Sequence, residues 1–390
     1  MGQVIRASIL PVRMPLVTPI STSFGSMVNR PGLFVKLQDE DGVIGWGEAW
    51  VNFPSWAIAE RTMVLHYLLG EVVGRSSESP QAVIETLERY QKQVVQSAGL
   101  GPFYHALSAI SAALWDLKAH KTGVPLRYLL ANENSSSASI PVYASGVGPE
   151  NVTTRVEKAL SLGFRQAKIK VGFHTTQDHE NFLIAEQIMG PGQVFVDANQ
   201  AWTEEQAHRE IAFYYNQGSP WVEEPVMALN FPVYEKLSRR FHCIAGGENW
   251  YREHCENITA VPLSLFQPDL SKIGGIEIAQ QLIGRLAPMI NHWALHVLGS
   301  PLVHGLALEF AAAHKDHIQL VEWDTNDNPL AAAFIVNWSI RDGQAVLSNA
   351  PGSGVTVDEE RLGRYVVEAL RPWCTILKED SSFCERRTPL

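Results

Sequence analysis

Seven ionisable side chains recur along the later part of the chain, each closing or following a short apolar run: Lys170, Asp197, Glu223, Glu248, Asp269, His296 and Glu322. They stand 27, 26, 25, 21, 27 and 26 residues apart, close to the repeat of one strand plus one helix. In a parallel barrel all strands end on the same face, so side chains recurring once per unit converge on one mouth. A single carboxylate in such a place is explained by helix capping, because anions favour helix N-termini. Seven in register are not.

The residue types define the chemistry. Asp197, Glu223 and Glu248 close three successive runs, and neighbouring strands lie about 4.8 Å apart, so the three carboxylates can meet at one point. Three converging anions need a cation. An all-oxygen set selects a hard ion, Mg²⁺, and the lack of His or Cys among the three argues against Zn²⁺. Lys168 and Lys170 alternate onto one inward face of a strand. A cationic neighbour and desolvation should lower the pKa of Lys170 toward that of a general base. His296 follows on a later strand, with Asp269 on the strand before it placed to orient the imidazole and raise its pKa. Glu322, if protonated, can donate a hydrogen bond to a substrate carboxylate.

Positioning these groups requires regular elements, and the pattern supplies them. From Ile140 onward short apolar runs alternate with helical segments: IPVYAS, QAKIKVG, QVFVDAN, WVEEP, CIAGGEN, SLFQPDL, INHWALHV and HIQLVEW. Eight such runs predict an α/β fold, a parallel barrel spanning residues 140–364. Residues 1–130 read as strands followed by helices, with Asp41-Gly42 as a hairpin turn, and so as a separate α+β domain. The Ser-rich stretch ANENSSSAS, residues 131–139, is placed as the linker.

Composition bounds the partners. With 390 residues, 46% of them hydrophobic and 18% charged, the chain can bury a large core. Its formal net charge of −10 and the lack of a basic stripe argue against nucleic acid. No apolar run reaches the length of a membrane span and no leader is visible. Cys243, Cys255, Cys374 and Cys384 show no CxxC spacing, which suits a reducing cytoplasm. Small solutes are the expected partners.

The motifs AKIKVG, VFVDANQAW, WVEEP, GGENW, QPDLSKIGG, ALH and VEWDTNDNPL together resemble the mandelate racemase branch of the enolase superfamily. ALSAISAALWDLKAHKTGVPLRYLL looks like the helix pair of that family's capping domain, so the resemblance is nearly full length. It implies a modified TIM barrel, (β/α)₇β, under an N-terminal α+β cap, with residues 365–390 returning to the cap. It implies Mg²⁺ on Asp197, Glu223 and Glu248, with Lys170 as one acid/base catalyst and His296, paired with Asp269, as the other. Lys168 and Glu322 would meet the substrate carboxylate, and Asn199 a substrate oxygen.

The activity so implied is removal of the proton α to a carboxylate through a metal-stabilised enediolate. Dehydration of an acid sugar to a 2-keto-3-deoxy acid is ranked first, ahead of racemisation or epimerisation using both bases. A Schiff-base aldolase on Lys170 would not need three converging carboxylates, and a non-catalytic barrel would have lost some of these residues. Specificity is expected from two cap segments, PLVTPISTSFGSMVNRP and AWVNFPSWAIAERTM. There Asn29, Arg30 and Trp56 are candidate substrate contacts, with Phe24, Trp50, Phe53 and Trp56 as an aromatic wall that suits a smaller or less hydroxylated acid. Family members are commonly dimers or octamers, which implies a homo-oligomer here.

Overall fold

Extended, β-branched segments in the first fifty positions build an antiparallel sheet from β1 (Val4–Thr22), β2 (Gly25–Asp39) and β3 (Ile44–Glu48). Gly42 turns β2 into β3 with φ of 81°, a conformation open to glycine. The computed structural model describes residues 2–22, 25–131 and 137–377. Phe24, residues 132–136 of the Ser-rich stretch and residues 378–390, with Cys384, lie outside the described residues. The last described strand, Thr375–Leu377, pairs with β1 on the edge away from β2.

Five helices follow: α1 (Ala57–Leu69), α2 (Pro80–Glu88), α3 (Gln91–Ala98), α4 (Leu100–Thr122) and α5 (Leu126–Leu130). Helix α4 is buried without a break from Phe103 to Leu117, which places it inside the protein rather than on a face of it. Two glycines bring it against β3. A Cβ at Gly45 would stand 2.2 Å from the Ala113 carbonyl oxygen, and one at Gly47 would stand 2.0 Å from that of Ala109. Its other flank meets the barrel, where Ser111 Oγ and Trp115 Nε1 donate to Glu277 at 2.6 and 2.8 Å. A single apolar cluster therefore runs from Val4 in the cap through α4 to Ile273 and Phe310.

The barrel strands are β4 (Ser139–Val147), β5 (Ala167–Lys170), β6 (Val194–Asp197), β7 (Val222–Glu223), β8 (Ile244–Gly246), β9 (Leu265–Phe266), β10 (Trp293–Leu295) and β11 (Ile318–Asp324). Between them lie α6 (Val152–Ser161), α7 (Thr175–Met189), α8 (Glu204–Asn216), α9 (Phe231–Arg240), α10 (Cys255–Ala260), α11 (Ile276–Leu286) and α12 (Pro301–Ala313). Strands neighbour one another in sequence order, and β11 pairs in parallel with β4, so the sheet closes as a (β/α)₇β barrel. The expected fold is the observed one.

Side chains fill the barrel's interior, as the fold requires. Tyr143, Phe195, Trp221, Ala245, Leu265 and Ala294 form a small core of their own, with Phe195 and Trp221 stacked at 3.5 Å. Alternation along each strand then sends the residue two places further on, among them Asp197, Glu223, Gln267 and His296, toward the mouth above this aromatic floor. Among the described residues no helix is long and apolar enough to cross a membrane.

Candidate active site

Strand register sets the first contacts. Lys170 lies opposite Asp197, and Asp197 opposite Glu223. Lys168, one alternation deeper, is wholly buried, with its Nζ 2.7 Å from Glu223 Oε1, 3.0 Å from Glu322 Oε1 and 3.6 Å from Asp197 Oδ2. Lys170 Nζ reaches Asp197 Oδ2 at 2.5 Å, and Asn199 donates to the same carboxylate from its backbone N–H and its amide. Across the mouth His296 donates from Nδ1 to Asp269 Oδ2 at 2.8 Å, while its Nε2 lies 2.6 Å from Glu248 Oε2. Asp269 is itself fixed by the Ser271 N–H and hydroxyl at 2.7 and 2.6 Å. The predicted catalytic and metal-binding residues thus share one mouth.

Burial and charge work against each other here. Desolvation disfavours the charged imidazole of His296, but Glu248 and Glu322 outweigh it, with hydrogen bonds to Asp269 and Glu248, and hold its pKa well above the usual value. Lys168 is likewise held charged against burial by Glu223 and Glu322. Burial, with the charge of Asp197 added, pushes Glu223 up to about 7. Glu224 rises to about 8 through burial and the charge of Glu248. Burial is the main cause of both rises, and a neighbouring carboxylate adds to each, a local surplus of carboxyl groups.

That surplus bears on a metal. Buried Asp197, Glu223, Glu224, Glu248, Asp269 and Glu322 are six carboxylates, and they face the four cations Lys168, Lys170, Lys272 and His296. Carboxyl groups outnumber the cations, and the oxygen donors suit a hard divalent ion. Each expected ligand is hydrogen-bonded to a cationic side chain: Asp197 to Lys170, Glu223 to Lys168, Glu248 to His296. The ligand-type atoms lying within 4.8 Å of one another among the described residues come from a different trio, Glu223, His296 and Glu322.

Two expected protonation states differ. Lys170 has a raised rather than lowered pKa: burial opposes the charge, but contact with Asp197 outweighs burial and the neighbouring Lys168. Glu322 is an ionised acceptor and not a donor, because Lys168, His296 and Lys170 overcome its desolvation and bring it down to about 2. It accepts a hydrogen bond from Tyr143 Oη at 3.2 Å.

The cap contacts also differ from expectation. Arg30 is wholly buried and joins cap to barrel through Asp324 Oδ2 at 2.9 Å and the Gly299 carbonyl at 3.2 Å, while its Nε and Nη1 find no partner among the described residues. Asn29 lines a separate cleft with Asn52, Phe53 and Ser55. Trp56 is 60% exposed and does not line the catalytic pocket. Trp50 instead lies under Lys272, whose Nζ is 4.2 Å from the ring centre. Of the first cap segment, Thr18, Pro19, Ile20 and Thr22 do reach the pocket, beside Lys170, His296 and Glu322.

Sequence reasoning passed over Tyr143, Gln267 and Lys272. Gln267 Nε2 donates to Glu223 at 2.6 Å and Lys272 pairs with Glu248 at 3.2 Å. The alternation that placed Lys168 beside Lys170 would have found Gln267, two residues before Asp269.

Comparison with known proteins agrees with this geometry. Residues 151–361 match the enolase C-terminal domain-like family and residues 4–131 the N-terminal domain of mandelate racemase and muconate lactonizing enzyme. The chain belongs to this family of the enolase superfamily and is an enzyme. It is 32% identical over 369 residues to a 3,6-anhydro-α-L-galactonate cycloisomerase of Streptomyces coelicolor, covering 91% of this chain and 97% of that protein. It is 29% identical over 277 residues to an L-talarate/galactarate dehydratase of Salmonella typhimurium, 67% of this chain and 65% of the relative. A crystal structure of a Streptomyces coelicolor racemase with bound magnesium superimposes with a TM-score of 0.81 at 28% identity, over 94% of this chain and 100% of that one.

Proposed function

We propose that this chain, with Mg²⁺ bound, removes the α-proton of an acid sugar and expels the oxygen on the β-carbon, giving a 2-keto-3-deoxy acid. The observation that carries the reading is that Lys170 and His296, from different strands, line one pocket together with Glu322. Held by Asp197, Glu223 and Glu248, the ion would supply Lewis acidity toward the substrate carboxylate.

The remaining steps belong to side chains. Lys168 places a buried positive charge where negative charge develops as the C–H bond breaks. Lys170 accepts the α-proton at Nζ, which requires the free amine. Its proton is held chiefly by Asp197, so drawing that charge elsewhere would leave burial and Lys168 to favour the neutral form. His296, kept as an imidazolium and oriented by Asp269, gives its Nε2 proton to the departing oxygen. The C–O bond breaks, water leaves, and the enol becomes the 2-keto acid.

One relative, the 3,6-anhydro-α-L-galactonate cycloisomerase, supports a second leaving group, and another, the racemase, a second outcome. In a 3,6-anhydro acid the ring oxygen stands on the β-carbon, so the same two proton transfers would open the ring. Racemisation begun at Lys170 would use the same imidazolium, which would then protonate the α-carbon from the opposite face, so elimination is preferred on the likeness to an acid-sugar dehydratase. The test is a panel of acid sugars and small 2-hydroxy acids with Mg²⁺, read by 2-keto acid formation and by α-proton exchange in D₂O. Neither product nor exchange from any member would overturn the proposal.

A further inference from the structure

The catalytic pocket has a second end. Its walls include Thr18, Asn151, Arg155 and Asn326 as well as Lys170 and His296. An adjoining cleft shares Thr18, Arg155 and Asn326 with it but none of the catalytic side chains. Arg155 therefore stands on the side away from the chemistry.

This guanidinium is anchored but not neutralised. Arg155 Nη1 donates to the Gly146 carbonyl at 3.0 Å and to Asn326 Oδ1 at 3.2 Å, which ties it between the ends of β4 and β11. Both partners are uncharged, and its Nη2 and Nε donate to no acceptor among the described residues. The nearby carboxylates are engaged or solvated: Asp324 by Arg30, Asp327 by Lys158, and Glu150 exposed to water. A half-buried guanidinium fixed through one nitrogen, with other donors left over beside a pocket, suits a ligand carboxylate, which it can bind through two parallel hydrogen bonds.

We infer that Arg155 binds a second carboxylate, at the far end of the substrate from the reacting one, so that the substrate class is the sugar diacids. The inference rests on the reading above for where the reacting carboxylate lies. A purely structural Arg155, bracing β4 against β11, would not tell a diacid from a monoacid.

Two matched probe pairs test this: galactarate with galactonate, and glucarate with gluconate, each pair differing only in a terminal carboxylate against a hydroxymethyl group. Binding is measured by calorimetry on the Mg²⁺-loaded protein. Wild type should prefer the diacid of at least one pair by about 10- to 100-fold, the worth of one charge-assisted contact. Arg155→Gln should bring that preference to within about threefold of unity while leaving monoacid affinity in place, and Arg155→Lys should keep part of it. Equal affinity of wild type for both members of each pair, no binding of any probe, or an equal loss for both members in Arg155→Gln would overturn the inference. Thermal melting of each variant establishes that it is folded. A diacid preference without α-proton exchange in the same samples would defeat the proposed reaction and leave the role of Arg155 standing.

Discussion

Lys168 and Arg30 are both wholly buried cations, and the contrast between them separates the barrel mouth from the cap. Lys168 sits on a strand among Glu223, Glu322 and Asp197, more anion than it can balance. Arg30 crosses from the cap to one carboxylate, Asp324, and one carbonyl. Surplus charge held on rigid strands marks a place prepared for another ion and a substrate. One-to-one pairing marks a joint. Burial alone does not distinguish the two; the count of opposing charges around each does.

The largest effect expected from this contrast is on the surplus itself. Stripping metal with EDTA, or substituting Asp197→Asn or Glu223→Gln, should take turnover below detection while the far-UV spectrum stays folded, with Mg²⁺ restoring the stripped enzyme. Full activity in EDTA after dialysis would remove the metal from the proposal. Next come the proton carriers. Lys170→Ala and His296→Asn should each lower turnover by on the order of 10² to 10⁴, but at different steps. Lys170→Ala should also lose α-proton exchange in D₂O, and His296→Asn should keep it while failing to dehydrate. Wild-type turnover in both variants would end the two-catalyst scheme.

The joint should respond in stability instead. Arg30→Met leaves Asp324 buried without its partner and should cost about 3 to 5 kcal/mol, seen as a lower denaturant midpoint, with KM unchanged where the variant is folded. A raised KM at unchanged stability would return Arg30 to the substrate-binding role read from the sequence. The smallest effect belongs to exposed Trp56. Trp56→Ala should shift stability by no more than about 0.5 kcal/mol and leave kcat/KM near wild type.

The barrel was legible because a repeat of strand plus helix leaves a count in the chain. Lys170, Asp197, Glu223, Glu248, Asp269, His296 and Glu322 were visible through that count before any contact was known. Their protonation was not, since whether Lys170 is held charged depends on how close Asp197 comes, which spacing does not give. The cap lacks a period that points at the site. Asn29, Arg30 and Trp56 belong to cap segments whose side-chain directions follow from docking against the barrel, so residue type alone misdirected the reading toward substrate. Arg155 escaped notice for a related reason: it sits inside a helix's first turns, outside the strand-end positions that the repeat brings to attention.

The two glycines of β3 have a consequence for ancestry. Gly45 and Gly47 let α4 lie against the cap sheet, and the same helix carries Ser111 and Trp115, which grip Glu277 of the barrel. A cap grafted from a cousin would have to bring a matching helix and find matching partners beneath it, all in one event. Such exchanges should be rare in the lineage. Diversification is then left to the tips of loops, where single substitutions alter what enters the mouth without disturbing the seam on which both halves depend.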